Sequence, residues 1–171
     1  RRMVYRYHVR IKKIYIMKDL QTIIHQDPVY LHDWAEEKKI GVIANFEEIY
    51  ITKAEYEAKE PPYKNVQVWH ERNAELEKKI KEWEDIHILF ASYSYYCYSG
   101  HAFVLFEKDG KLFEVNGSHC SCYGLEGQWK PEETTIEALE HRLLNGSLGN
   151  EEWADNVFHN ELKEFLGITI S

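Results

Sequence analysis

The sequence predicts an α+β domain, an antiparallel sheet with a central hairpin, covered by several helices. Asp109-Gly110 lies between the apolar runs Phe103-Val104-Leu105-Phe106 and Leu112-Phe113-Glu114-Val115, which is the pattern of a two-residue hairpin. Residues 86–96, rich in aromatic and aliphatic side chains, supply a third antiparallel strand. Stretches on either side repeat their apolar positions at helical spacing, so helices flank a strand-rich centre.

Taken in order, Tyr5, Tyr7, Val9 and Ile11 alternate with Arg6, His8, Arg10 and Lys12, as in a strand with one basic, solvated face. Asp27 reads as an N-cap with Pro28 at the first helical position, opening a helix over 27–39 that Gly41 terminates. A connector leads to Ile49-Tyr50-Ile51. Thr52 then caps a short acidic helix over 53–59, which Pro61-Pro62 stops. Residues 65–84 read as a helix with Val66, Trp69, Leu76, Ile80 and Trp83 on one side, interrupted at Asn73. After the three strands, a loop over 116–130 carries three glycines. Ile136, Leu139, Leu143 and Leu144 mark a helix ending near Gly146. A last helix is expected from Asn150, bearing Trp153, Val157, Phe158, Leu162, Phe165 and Leu166, with Gly167 ending it.

The 171 residues suit a single domain spanning 1–171, in which 60–85 could be a helical insertion. A formal charge of −8 argues against a general grip on phosphate backbones and favours basic partners. Direct nucleic-acid binding is therefore not expected. No run approaches the apolar length of a membrane span, and the first residues lack the core of a signal peptide, so a cytoplasmic location is expected. Cys97, Cys120 and Cys122 then read as reduced thiols, more readily as buried, inert ones than as ligands.

The reactive inventory lies mostly between Ser94 and Trp129. Thiol catalysis needs a thiolate, a positioned histidine and an orienting group, and Cys120, His101 and Asn116 are the candidates for those roles. A zinc site could draw on Cys120, Cys122 and His119, although Cys-x-Cys lacks the hooks of common structural zinc sites. No other cofactor is indicated. The adjacent glutamates Glu36-Glu37 and Glu47-Glu48 read as solvated, because neighbouring side chains on a helix or strand point apart. There is no phosphate-cradling glycine loop, no His-Glu-x-x-His helix and no Gly-x-Ser-x-Gly elbow.

Two resemblances add to this. Gly100-His101-Ala102-Phe103, Asp109-Gly110-Lys111 and Glu114-Val115-Asn116 resemble the histidine box of ubiquitin-specific proteases, but the upstream cysteine nucleophile of that family has no counterpart before Cys97. The run Gly117-Ser118-His119-Cys120-Ser121-Cys122-Tyr123-Gly124-Leu125-Glu126-Gly127-Gln128-Trp129, with Pro131-Glu132-Glu133-Thr134 after it, resembles a segment of small uncharacterised phage and prophage proteins. That likeness implies a setting, the cytoplasm of an infected host, rather than a mechanism.

The expected function is accordingly a phage-type, non-enzymatic protein that binds and inhibits a host defence protein, for example a basic nucleic-acid-binding effector such as a CRISPR component. Tyr and Trp commonly anchor interfaces, so Trp69, Trp83, His119, Tyr123 and Trp129 are its expected contacts. The alternatives are a cysteine-dependent hydrolase or transferase and a zinc-stabilised interaction module.

Overall fold

The computed structural model describes residues 18–150 and 156–168. Along the chain run α1 (Leu20–Ile24), β1 (Val29–His32), α2 (Trp34–Phe46), α3 (Lys53–Glu57), α4 (Val66–Glu82), β2 (His87–Tyr96), β3 (Ser99–Lys108), β4 (Lys111–His119), β5 (Glu132–Thr134), α5 (Ile136–Asn145) and α6 (His159–Leu166). The strand expected around Tyr5 to Ile11, and Trp153, lie outside the described residues.

The fold is α+β, built on the expected hairpin. Asp109 and Gly110 both take positive φ (52° and 76°), the conformation that a two-residue primed turn requires. The sheet order is β1-β2-β3-β4-β5. The central strands are antiparallel, and β1 pairs with β2 in parallel.

Successive side chains of a strand point to opposite faces, and both faces of this sheet are covered. Ala102, Val104 and Phe106 of β3 join a core with Trp34, Val42, Ile43 and Phe46 of α2 and Trp69 and Leu76 of α4. Phe103 and Leu105 join a second core with Ile23, Leu139, Leu143, Leu162 and Phe165 from α1, α5 and α6. Each buried Val, Leu, Ile or Phe among them contributes roughly 1.5–3 kcal/mol by leaving water, so the sheet is clamped from both sides. Glu114 is buried on the second face, where the Arg142 guanidinium of α5 donates to both its carboxylate oxygens.

Several helix boundaries follow the local signals. Thr52 and Glu55 form a reciprocal capping box, the Asn65 side chain accepts from the Val68 N–H, and Thr135 accepts from the Ala138 N–H. Asn73 does not interrupt α4; its side chain donates to the Trp69 carbonyl, one turn back. Gly167 ends α6 with φ of 73°.

Two helix starts are corrected. Asp27-Pro28 leads into β1, because pairing Val29 to His32 with Phe90 to Tyr93 uses their backbone groups in the sheet and outweighs a capping signal. The helical segment begins after Asp33, kinks at Lys38, where φ is 52° and ψ −144°, and continues through Gly41 rather than ending there. A Cβ at Gly41 would stand 3.1 Å from Trp34 Cδ1 and closer still to Glu37, so this glycine serves packing. The last helix begins at His159 rather than at Asn150. The Asn150 N–H instead donates to the Ser147 carbonyl, and Gly149 accepts from the N–H groups of Phe158 and His159.

Candidate functional site

The first-face end of the hairpin sheet is shaped by small residues. In register across β2, β3 and β4, Gly100 stands between Tyr95 and His119. With no side chain at Gly100, the Tyr95 and His119 rings meet over it edge to face, with centroids 4.6 Å apart. A Cβ at Gly100 would come within 2.6 Å of the Ser94 carbonyl oxygen and 3.2 Å of the Tyr93 ring. The neighbouring row is Tyr93, Ala102 and Gly117, and the space above Gly117 is taken by Leu125 and the Phe46 ring.

Leu125 is buried and anchors the segment after β4 on the sheet. Gln128 holds the same segment by its amide, accepting from the Ser118 N–H and donating to the carbonyls of Ser118 and Gly124. The Cys120 N–H donates to the Tyr123 carbonyl across the tip. Cys120, Cys122 and Tyr123 are thus presented on a braced loop, and all three are exposed.

Between this loop, β2, α2 and α3 lies a cleft of about 670 Å³. Among the described residues its lining includes five carboxylates, Asp33, Glu37, Glu48, Glu55 and Glu126, and neither lysine nor arginine. Each carboxylate is held by a neutral donor. Asp33 accepts from the Tyr95 N–H, Glu37 from the Lys53 N–H, Glu48 from the Tyr50 hydroxyl, Glu55 from the Thr52 N–H and Glu126 from the Gly124 N–H. None enters an ion pair among the described residues, whereas Glu47, Glu57, Glu82, Asp85, Glu114 and Glu133 each pair with a lysine or arginine. The cleft is therefore acidic, its charges positioned by neutral donors and not neutralised by any described lysine or arginine.

The tyrosines respond to this field. Tyr50 is raised above its ordinary pKa by its hydrogen bond to Glu48 and by the Glu48 charge, with Glu126 adding. Tyr93, on the wall, is pushed up to about 12 by burial first and by the Asp33 charge second. Tyr50, Tyr95 and Tyr123 are exposed on the rim.

The catalytic grouping is not assembled. His101 and Asn116 lie on the opposite face of the sheet, lining a depression with Phe103, Gln128 and Phe158, while Cys120 opens on the acidic cleft. The Asn116 amide donates to Glu114 instead. His119, Cys120 and Cys122 all line the cleft, but among the described residues no three His, Cys, Asp or Glu side chains converge where one ion could be held. The thiols are exposed, contrary to the buried state expected of them.

Of the expected contact residues, Tyr123 is 71% exposed and His119 is half-buried in the cleft wall. The tryptophans are core instead. Trp69 and Trp83 are only 9% and 4% exposed, and the Trp83 ring packs on Trp129 at 4.1 Å, which in turn stacks on Phe106. Their indole N–H groups are used internally, Trp69 donating to the Glu55 carbonyl and Trp83 to Glu47.

The cleft residues outside the 116–130 loop were not singled out by sequence. Glu37 and Glu48 belong to the adjacent glutamate pairs, and the rule that neighbours point apart explains the outcome: Glu48 lines the cleft while Glu47 turns to Lys79 and Trp83. The run Tyr93-Ser94-Tyr95-Tyr96-Cys97-Tyr98 was the available signal, since so many tyrosines at a strand end exceed what a core needs.

Among the described residues no helix is long and apolar enough to cross a membrane. Comparison of the chain with protein-family models, with curated proteins and with solved structures finds no match.

Proposed function

We propose that the chain is a non-enzymatic binding protein that engages another protein through the tyrosine-bearing end of its sheet. One observation carries this reading: among the described residues Tyr50, Tyr95, Tyr96, Tyr98 and Tyr123 account for most of the large exposed apolar side chains, and they are gathered around the acidic cleft and the adjoining hairpin tip. Tyrosine supplies contact area at little conformational cost and is enriched at interfaces. In the phage-type setting that the 117–129 segment resembles, the partner is a host defence protein and the encounter takes place in the host cytoplasm. An acidic surface favours a partner that carries basic, nucleic-acid-binding surface.

Affinity capture from a bacterial host tests this. An identified defence protein is expected in near-stoichiometric amount, lost when Tyr95, Tyr98 and Tyr123 are changed together to Ala while the fold is retained. Recovery of no partner, or capture indifferent to those changes, overturns it.

A further inference from the structure

We infer that Cys120 and Cys122 form a reversible dithiol–disulfide pair, closed by exchange with a low-molecular-weight disulfide and opened by the matching thiol. This goes beyond the protein-binding reading and does not depend on it.

A reactive thiol needs access, and both sulfurs have it: Cys120 and Cys122 are exposed and open on the same cleft. Geometry supplies the second condition. A disulfide needs Cα atoms roughly 4.4–6.8 Å apart, and residues two apart in a fully extended chain stand at about 7 Å, just outside that window. The loop is not extended there. The Cys120 N–H donates to the Tyr123 carbonyl at 3.0 Å, which turns the chain back across Ser121 and Cys122 and shortens the span. The Cys122 sulfur lies 3.8 Å from the hydroxyl of Ser121, the residue between the two cysteines. On either side of the turn the loop is fixed, because Gln128 spans Ser118 and Gly124 and Leu125 is buried. Bracing of this kind holds two thiols at a high effective concentration.

The strand register excludes Cys97. It follows β2 whereas Cys120 follows β4, and β3 runs between them, with Tyr96 opposite Ser99 and Gly100 opposite His119. Two strand spacings, roughly 9–10 Å, separate Tyr96 from the chain beyond His119, too far for a bond without backbone movement. A structural zinc site would need four donors, and among the described residues no three His, Cys, Asp or Glu side chains converge.

The reaction balances as a two-electron exchange. One cysteine thiolate attacks glutathione disulfide, forming a mixed disulfide and releasing one glutathione thiolate. The other cysteine then attacks the protein sulfur of that mixed disulfide, the ring closes and the second glutathione leaves. The protein loses two electrons and two protons, and one glutathione disulfide becomes two glutathione thiols. The ring closes immediately before the exposed Tyr123, so the loop tip carries a different backbone constraint in each form.

Equilibration of the Cys97→Ser chain in buffers of varied reduced and oxidised glutathione, read by thiol alkylation and intact mass, tests the inference. The oxidised product should be lighter by two hydrogens, carry no glutathione and resist alkylation at both remaining cysteines. Adding Cys120→Ser or Cys122→Ser should instead leave one glutathione held as a mixed disulfide. In the unaltered chain, peptide mapping should place the new bond between Cys120 and Cys122. Unfolding the chain in urea should lower the equilibrium constant for ring closure by about fivefold or more, since the brace is lost. Two glutathiones on the Cys97→Ser chain, a bond to Cys97, a disulfide-linked dimer in place of the ring, or an equal constant in folded and unfolded chains would each overturn it.

Discussion

The two tight hairpins of the central sheet share a geometry and differ in everything else. At the β3–β4 turn, Asp109 and Gly110 have φ of 52° and 76°; at the β2–β3 turn, Cys97 and Tyr98 have φ of 47° and 70°. Glycine enters that region freely, whereas a tyrosine there is strained by an amount on the order of 1 kcal/mol or more. The surroundings diverge in the same sense. Beside Asp109-Gly110 the charges are matched, Lys108 with Asp85 and Lys111 with Glu133, and the Gly110 N–H donates to Glu107. Beside Cys97-Tyr98 stand exposed tyrosines and the acidic cleft. One end of the sheet is finished for stability. The other keeps strain, exposed rings and carboxylates that no described lysine or arginine pairs, a combination that persists where a surface is used for recognition.

This contrast can be broken or sharpened by substitution. The largest expected effect is in the core: Trp83→Ala should cost about 3–5 kcal/mol by removing the ring packed on Trp129, measured by denaturant unfolding. Arg142→Ala leaves buried Glu114 without its ion-pair partner, with only the Asn116 amide donating to it, and should cost about 2 kcal/mol, below the range for fully buried pairs because the Arg142 side chain is 40% exposed.

Alkaline titration addresses the tyrosines of the interior. Burial pushes Tyr30 and Tyr93 from 10.0 up to about 12 in the folded chain. Raised folded values mean that the unfolded chain releases these protons first, so their contribution is fully present below pH 10.0 and is lost as pH rises toward about 12. Tyr93→Phe should flatten the fall of stability across that window. At the strained turn, replacing Cys97-Tyr98 by Asn-Gly should raise stability by about 1 kcal/mol while weakening partner capture, the opposite signs expected of a functional tip. Smallest of all, Tyr123→Ala should change stability by no more than about 0.5 kcal/mol, since its ring is exposed, and should still reduce binding.

What was legible in the sequence follows the range of the forces involved. Asp109-Gly110, the Thr52 capping box and the apolar stripe of α4 are local signals, and they agree with the fold. Pro28 and Gly41 carried local signals too, but pairing with β2 and contact with Trp34 decided them. The Cys97-Tyr98 turn escaped notice because its residues are the wrong ones for it. The cleft was hidden for a further reason. Its carboxylates come from Asp33 just before α2, from α2, α3, the chain between them and the loop after β4; Glu48, Glu55 and Glu126 hold local donors while Asp33 and Glu37 hold the distant Tyr95 and Lys53 N–H groups, so the grouping does not stand out until the chain is folded. The tryptophans misled in the other direction, since the aromatic surface area that marks an anchor serves a core equally well.

The tyrosine-bearing end of the sheet is the proposed recognition surface. Hydrogen–deuterium exchange of the chain with and without its captured partner tests it most directly. New protection should fall on residues 95–98 and 119–126 and on the chain around Tyr50, with none at 108–111. Protection confined to the Asp109-Gly110 end, or to α5 and α6, would contradict the account.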